Sequence, residues 1–437
     1  MTPAEFGLIS SIFTLGGLLG ALSAGPISQR YGRLKTMLWG TALFTAGPIF
    51  EALAQGIAIM VVGRFISGLG AGAAVVVVPI YISEIAPPGE KGFWGSATQV
   101  MVNLGIFIAQ LLGYFLSKGE LWRIILGAGG LFGMLQAAAL LLGGVESPKW
   151  KADRGMPAEA KRDLRRIRGK KVDVSEEVDG WGTGESEERR DDEEESLLRN
   201  EDRMSHHSDE EAPRKRDMAK KSIVGIFEVI RHPEYNKATF AVMMVMIAQQ
   251  LCGINSIVMY GVSLLTSLLS TSSALLNLFV SLLNLFVTLF CAPLIDIIGR
   301  KTVLLLSIAG MGASSLALGL SIMFHVPPLS VVAVITFVAS FGLGLGPVPF
   351  ILSSELVGPE AVGATQSWAL AANWLATFIV AQFFPIVNER LGQGKVYFIF
   401  MALAVFFWVF VAWRVPETKG KKDADEVWGR KKSDNQD

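Results

Sequence analysis

The sequence predicts an all-α membrane protein built from two related halves, and three observations carry that prediction. First, 51% of the 437 residues are hydrophobic and only 18% are charged, with a mean hydropathy of +0.44. The charges gather in short clusters and one long loop, whereas a soluble chain of this length spreads them over its surface. Second, apolar runs recur at the roughly 20 residues a helix needs to cross the hydrocarbon core. Third, three charged signatures in the first half return in the same order in the second. Tyr31-Gly32-Arg33-Leu34-Lys35 is answered by Ile298-Gly299-Arg300-Lys301, and Pro79-Ile80-Tyr81-Ile82-Ser83-Glu84 by Pro349-Phe350-Ile351-Leu352-Ser353-Ser354-Glu355. Glu146-Ser147-Pro148 is answered by Pro416-Glu417-Thr418, and the three offsets are 267, 271 and 271 residues. Halves repeated in parallel, each beside long apolar runs, form the layout of transporters whose substrate site lies between the repeats.

Eleven spans follow from the apolar runs, near 7–25, 37–56, 58–82, 95–117, 122–144, 238–268, 272–298, 302–323, 328–352, 363–387 and 396–413. Cys252 and Cys291 both fall inside spans, so no disulfide framework is implied, and a net charge of zero gives no pointer to nucleic acid. Lys and Arg set the orientation. Arg30, Arg33 and Lys35 follow the first span, Lys91 follows the third, and Arg300 and Lys301 hold the matching place in the second half. The stretch from Lys149 to Lys237 and the tail from Lys419 are basic too, while Glu51–Gln55, Ser270–Ser273 and His325–Pro328 carry almost no basic residue. The signatures, the long loop and the tail are therefore expected on the cytoplasmic side.

The organisation expected is an N-terminal bundle over 1–148, a charged loop over 149–237, a six-helix bundle over 238–417 and a tail over 418–437. Five spans against six is odd for a two-fold repeat. Met1-Thr2-Pro3-Ala4-Glu5-Phe6 leads straight into a helix with no cleavable signal, which predicts a truncated or alternative start lacking the first helix of a twelve-helix pattern. The central loop holds the run Glu185-Ser186-Glu187-Glu188-Arg189-Arg190-Asp191-Asp192-Glu193-Glu194-Glu195. Such a segment buries too little apolar surface to offset its ordering entropy and is expected to be largely disordered. Pro157 to Arg168, with Leu164 and Ile167 at helical spacing, is expected to form a short surface helix. Glu193, Leu197 and Leu198 form an acidic dileucine pattern of the kind sorting adaptors read on vacuole-bound cargo; a chance Leu pair is the alternative.

Several motifs in order carry a resemblance. They are Gly63-Arg64-Phe65-Ile66-Ser67-Gly68-Leu69-Gly70, Glu146-Ser147-Pro148-Lys149-Trp150, Gln249-Gln250-Leu251-Cys252-Gly253-Ile254-Asn255, Gly346-Pro347-Val348-Pro349 and Pro416-Glu417-Thr418-Lys419-Gly420. Together they resemble the sugar porter family of the major facilitator superfamily, and the chain is similar to fungal hexose transporters over nearly all its length except the charged loop. The resemblance implies a major facilitator fold and monosaccharide transport by alternating access. It departs from the family at Val145 for proline, Phe350 for tryptophan, Thr377 for a second polar amide, Gln29 for an acidic residue or Asn, and Val362 for arginine.

Sugars are uncharged polyols, so their site needs groups that both donate and accept, with an aromatic face beside them. Amides inside a bilayer are costly unless partnered, which singles out intramembrane Gln and Asn. Gln99, Gln249, Gln250, Asn255 and Asn284 are the sugar-binding positions the resemblance implies, and Tyr260, Phe350, Asn373 and Trp374 join them as neighbours. Gln250 and Asn255 lie about 140° apart on an unbroken helix and share a face only if the helix unwinds, which Gly253 permits. The alternative for each amide is hydrogen-bonded glue between helices.

Arg33, Glu84, Lys91 and Glu146 in one half, with Arg300, Glu355 and Glu417 in the other, are expected at cytoplasmic helix ends as a gate of separable ion pairs; plain topological anchoring is the alternative. Arg64 and Arg123 are expected at the opposite face, tying helix ends together. No Asp or Glu is expected at mid-helix depth in the eleven spans, so the chain reads as a uniporter, with proton symport, a polyol or inositol porter and a sugar sensor as alternatives. No nucleophile–base pair, metal cluster or phosphate loop indicates an enzyme, and no cofactor is implied. Gly342-Leu343-Gly344-Leu345-Gly346 lies inside a span without a following lysine and reads as a packing or bending element.

Overall fold

The structure is a computed structural model of the chain, and it describes residues 3–87, 90–116, 119–169, 174, 177–178, 224–257, 273–358, 360–392, 394–421 and 424–429. The first half holds α1 (Pro3–Tyr31), α2 (Arg33–Ala52), α3 (Ile57–Ile85), α4 (Lys91–Leu116) and α5 (Trp122–Gly143). Then come the short α6 (Pro148–Ala152) and α7 (Pro157–Arg168), followed beyond the loop by α8 (Glu228–Arg231). The second half holds α9 (Pro233–Leu251), the one-turn α10 (Ile254–Ser256), α11 (Ser273–Ile298), α12 (Arg300–Met323) and α13 (Pro327–Ser340). Next are a π-turn at Phe341–Leu345, α14 (Val348–Glu355), α15 (Val362–Leu391), α16 (Val396–Arg414) and α17 (Ala424–Trp428).

The repeat is visible in the backbone. Gly32 separates α1 from α2 at φ 98°, ψ 162°, and Gly299 separates α11 from α12 at φ 105°, ψ 150°. Both are conformations that L side chains avoid, so a glycine in each signature turns the chain between two long helices.

Among the described residues, ten helical segments are long and apolar enough to cross a membrane, against eleven expected. The shortfall is α2, which has 20 residues but a polar buried face of Arg33, Thr36, Thr41 and Glu51. Those groups lower its mean hydropathy while pointing into the protein. The span expected over 238–268 is broken within its described part: α9 stops at Leu251, the chain turns at Cys252 and Gly253, and helix resumes at Ile254; residues 258–268 lie outside the described residues.

The described chain forms two compact units: residues 1–144 with 224–437, and residues 145–223. In the first unit, the second half owns most of the large side chains that are fully buried, including Tyr397, Phe337, Met246, Leu304, Ile308, Met311 and Leu352. The first half packs differently. Lipid tails are as apolar as leucine, so helices associate in a bilayer through close backbone approach. At α1–α3, a Cβ on Gly72 would strike the Gly17 carbonyl and one on Gly20 would strike the Leu69 carbonyl. The outer faces are lipid-like, with Leu141, Leu142 and Phe115 exposed.

The second unit has a small core of its own, in which Ala160 and Leu164 of α7 pack with Val174 and Val178. Lys151 bridges Glu159 at 3.0 Å and Asp163 at 2.6 Å, and Arg168 pairs with Glu177 at 2.8 Å. The helix expected from the Leu164 and Ile167 spacing runs over Pro157–Arg168. Glu193, Leu197 and Leu198 lie outside the described residues.

Candidate functional site

The amides fall into two clusters. The first is built where α9 breaks. Gly253 sits at φ 102° in the left-handed region, and that turn swings Asn255 back so that its Nδ2 donates to Gln250 Oε1 at 2.6 Å. Gln250 Nε2 donates to Asn373 Oδ1 of α15 at 3.2 Å, and Asn373 Nδ2 donates to Gln249 Oε1 at 2.7 Å. Gln249 Nε2 is shared between the Leu345 and Gly346 carbonyls, both at 2.9 Å. Those carbonyls lie at the end of the π-turn, where Pro349 lacks the N–H that Leu345 would otherwise accept from, so the glycine run bends the span and presents acceptors there.

The second cluster joins α4 of the first half to α11 of the second. Gln99 Nε2 donates to Asn103 Oδ1 at 3.1 Å, Asn284 Nδ2 donates to the same oxygen at 3.2 Å, and Asn103 Nδ2 donates to Thr288 Oγ1 at 2.8 Å. Gln99 is 6% exposed, Asn103 1%, Asn284 9% and Thr288 fully buried. Asn284 Oδ1 is buried with no hydrogen-bond partner among the described residues, an expensive state that a hydroxyl donor relieves. Gly346 connects the clusters: its carbonyl accepts from Gln249, and a Cβ there would lie 3.4 Å from Gln99 Cγ.

Sequence reasoning thus brings five amides and Asn373 to two neighbouring places. The aromatic candidates scatter. Phe350 is buried in the apolar core of the second half. Trp374 lies against α1, edge-on to Phe13 at 5.9 Å, where a Cβ on Gly17 would meet its ring; its Nε1 is buried without a partner among the described residues. Tyr260 lies outside the described residues. Asn103 and Thr288 were missed, though a signal existed: each stands four residues beyond a candidate amide on the same helix face.

The charged signatures gather at one end of the membrane unit. Arg33 holds Glu84 with two bonds, Nε to Oε2 at 2.9 Å and Nη2 to Oε1 at 2.6 Å, and donates a third to the Ser28 carbonyl. Arg300 Nη2 lies 3.0 Å from Glu355 and 2.8 Å from Asp296. Glu417 accepts from the backbone nitrogens of Arg300, Lys301, Thr418 and Lys419 at 2.9–3.1 Å, which caps the start of α12. Glu146 accepts from the Ser147 backbone nitrogen within its own unit. Lys91 opens α4, and its side chain lies outside the described residues.

At this end the halves are also tied to each other. Gly25 N donates to Ser367 Oγ at 3.2 Å, Gln29 Nε2 to the Glu360 carbonyl at 3.2 Å, and Phe93 N to Asp296 Oδ2 at 2.8 Å. Asp296 therefore belongs to the cluster although sequence reasoning passed over it. At the far end Arg123 Nη1 donates to the Ala52 and Ala54 carbonyls at 2.8 Å, and Arg64 lies 3.3 Å from Glu51, as the tying role expected for these arginines requires. Glu51, expected in a loop, is instead the last-turn carboxylate of α2, 2% exposed and bonded by Ser67 Oγ at 2.6 Å.

Two helical halves spanning a membrane, amides at their junction and ion pairs at one end define a polytopic transporter of major facilitator architecture. Comparison with known proteins agrees. A family described as Sugar (and other) transporter matches residues 2–427. A probable metabolite transport protein of Saccharomyces cerevisiae is 34% identical over 429 residues, 98% of this chain and 83% of that protein. Vacuolar protein sorting-associated protein 73 of the same yeast is 29% identical over 96% of this chain and 82% of its own length. The facilitated glucose transporter member 3 of Ovis aries is 28% identical over 95% and 80%. Among solved structures, the proton:xylose symporter XylE bound to 6-bromo-6-deoxy-D-glucose superposes with a TM-score of 0.80 at 23% identity, covering 98% of this chain and 90% of that one. The chain belongs to the sugar porters of the major facilitator superfamily, as its motifs imply.

Proposed function

We propose that the protein carries a monosaccharide, a hexose such as glucose, across a membrane by alternating access and without coupling to protons. The carrying observation is the pair of amide clusters, Gln249–Gln250–Asn255–Asn373 and Gln99–Asn284, held on helices of both halves. Amides bonded only to one another and to backbone carbonyls exchange those bonds for sugar hydroxyls, which donate and accept at each carbon. Tyr260 is the ring face left to this reading, since Phe350 packs in the core of the second half and Trp374 against Phe13. The relatives support a sugar: one is described as a facilitated glucose transporter.

Arg33, Glu84, Lys91, Glu146, Arg300, Glu355 and Glu417 serve as the cytoplasmic gate in this reading. The end of the membrane unit that carries the Arg33–Glu84 and Arg300–Glu355 pairs is also tied between the halves, so opening toward the cytoplasm requires those ties to part. One yeast relative is a vacuolar protein sorting-associated protein, which favours a vacuolar membrane and an adaptor reading Glu193, Leu197 and Leu198. Leu197→Ala with Leu198→Ala is expected to move a fluorescently tagged protein from vacuole to cell surface; an unchanged location removes the signal.

A second reading, proton symport, has one observation in its favour. Glu51 is a carboxylate buried in a helix beside Arg64 and Ser67, and the structural neighbour is described as a proton:xylose symporter. Labelled glucose counterflow in liposomes, with and without an imposed proton gradient, separates the two. Counterflow indifferent to the gradient is expected; accumulation driven by it supports symport, and its loss in Glu51→Gln assigns the carboxylate.

A further inference from the structure

The bond network around Asn103 crosses the junction of the halves inside the membrane. An amide there has a strong preference for keeping its partners, because the alternative is an unsatisfied polar group in an apolar medium. Asn103 is bonded through both side-chain atoms: its oxygen takes a proton donor on each lone pair, from Gln99 of its own helix and from Asn284 across the junction. Its nitrogen donates across the junction to Thr288. It is 1% exposed, so its acceptor is full and unavailable to a ligand in this state. The acceptor that is available is its neighbour's, Asn284 Oδ1.

We infer that Asn103 is an intramembrane latch between the two halves, whose bonds to Thr288 and Asn284 hold the empty carrier and part during transport while substrate hydroxyls bond the neighbouring Gln99 and Asn284. The inference rests on the alternating-access reading above. A hydroxyl that donates to Asn284 Oδ1 sits beside the latch and can also accept from the Gln99 or Asn284 amide nitrogens. The sugar then replaces what separation of α4 from α11 breaks. An empty carrier has no such replacement, so its return across the membrane is the step the latch slows. Asn103 is thus a positioning residue that sets the ratio of exchange to net flux, and it is distinct from the amides that touch sugar.

Reconstituted protein gives the test, with equilibrium exchange and zero-trans net flux of labelled glucose measured side by side. A lost hydrogen bond between uncharged groups corresponds to about a fivefold change in the return step. Asn103→Leu is expected to lower the exchange-to-net ratio about fivefold with the half-saturation constant for exchange unchanged. Thr288→Val is expected to do the same, and the double variant no more than either alone. Asn103→Gln, which keeps the amide, is expected to restore part of the ratio. A half-saturation constant raised severalfold with both fluxes falling together overturns the latch and makes Asn103 a sugar ligand. A ratio left at the wild-type value, or a wild-type ratio already at one, leaves Asn103 a packing residue.

Spin labels at Tyr31→Cys and Ile297→Cys, exposed at the signature-bearing ends of α1 and α11, with Cys252→Ser and Cys291→Ser, give a reading that needs no substrate. Without sugar, the Asn103→Leu protein is expected to show a second, longer distance that the parent lacks. The same distribution in both overturns the latch. Absence of glucose flux in the parent counts against the hexose reading alone, because the label distances still decide the latch.

Discussion

The two charged clusters descend from one repeated signature and yet are wired differently. In the first half Arg33 engages Glu84 in a two-bond fork. In the second half Arg300 is shared by Asp296 and Glu355, while Glu355 also accepts from Thr418 Oγ1. The tie to the other half differs too. Gln29, three residues before Gly32, reaches the Glu360 carbonyl as a neutral donor; Asp296, three before Gly299, accepts from the α4 backbone as an anion. In the second cluster one cation spans two anions, with Val362 standing where the resemblance expects arginine. The difference teaches that a repeated signature need not keep its wiring, and that in the second half one guanidinium holds two carboxylates.

Removing that residue is the largest effect expected. Arg300→Leu strands two carboxylates, and loss of one partner of a buried pair costs about 3–5 kcal/mol. The variant is expected to lose more thermal stability in detergent than Arg33→Leu, which removes the fork to Glu84. Equal losses break the comparison. Next is Gln250→Ala, expected to abolish uptake at unchanged membrane abundance; normal uptake removes Gln250 from the site.

Gly253→Ala tests how the amides are gathered. A left-handed backbone disfavours a Cβ by about 1–2 kcal/mol, and here that atom would lie 2.8 Å from the Phe400 ring. Uptake is expected to fall severalfold, with the half-saturation constant raised because Asn255 leaves Gln250. Thr418→Val removes the hydroxyl from Glu355, about 1 kcal/mol, and is expected to lower the melting temperature by a few degrees. Gln29→Ala should be smallest, about 0.5–1 kcal/mol for one neutral bond, with faster opening seen as easier labelling of introduced cysteines at that end. A larger effect for Gln29→Ala than for Asp296→Ala would reverse the ranking of the two ties.

How much of this was legible in the chain varies by feature. Hydropathy located the spans because a lipid-facing helix must be apolar along its whole length, and the signal is weakest at α2, where Arg33, Thr36, Thr41 and Glu51 are buried. The helix break at Gly253 was readable, since Gln250 and Asn255 share no face on a regular helix. The paired positions Asn103 and Thr288 carried only the weak signal of a spacing of four. Asp296 was overlooked because a lone carboxylate at a helix end looks solvated until α4 is placed against it.

The sequence by itself determined the class of fold, the two-fold repeat, the amides and the signature glycines, because composition, period and positive-φ requirements are local properties of the chain. Only the tertiary structure decided which amides meet, that Trp374 turns to α1 and not to the Gln250 cluster, and that Arg300 serves two anions. Several of those outcomes depend on helices far apart in sequence, as Asn103 and Thr288 are at a separation of 185. No local pattern encodes a contact across such a distance; it follows from how two bundles of helices fit together.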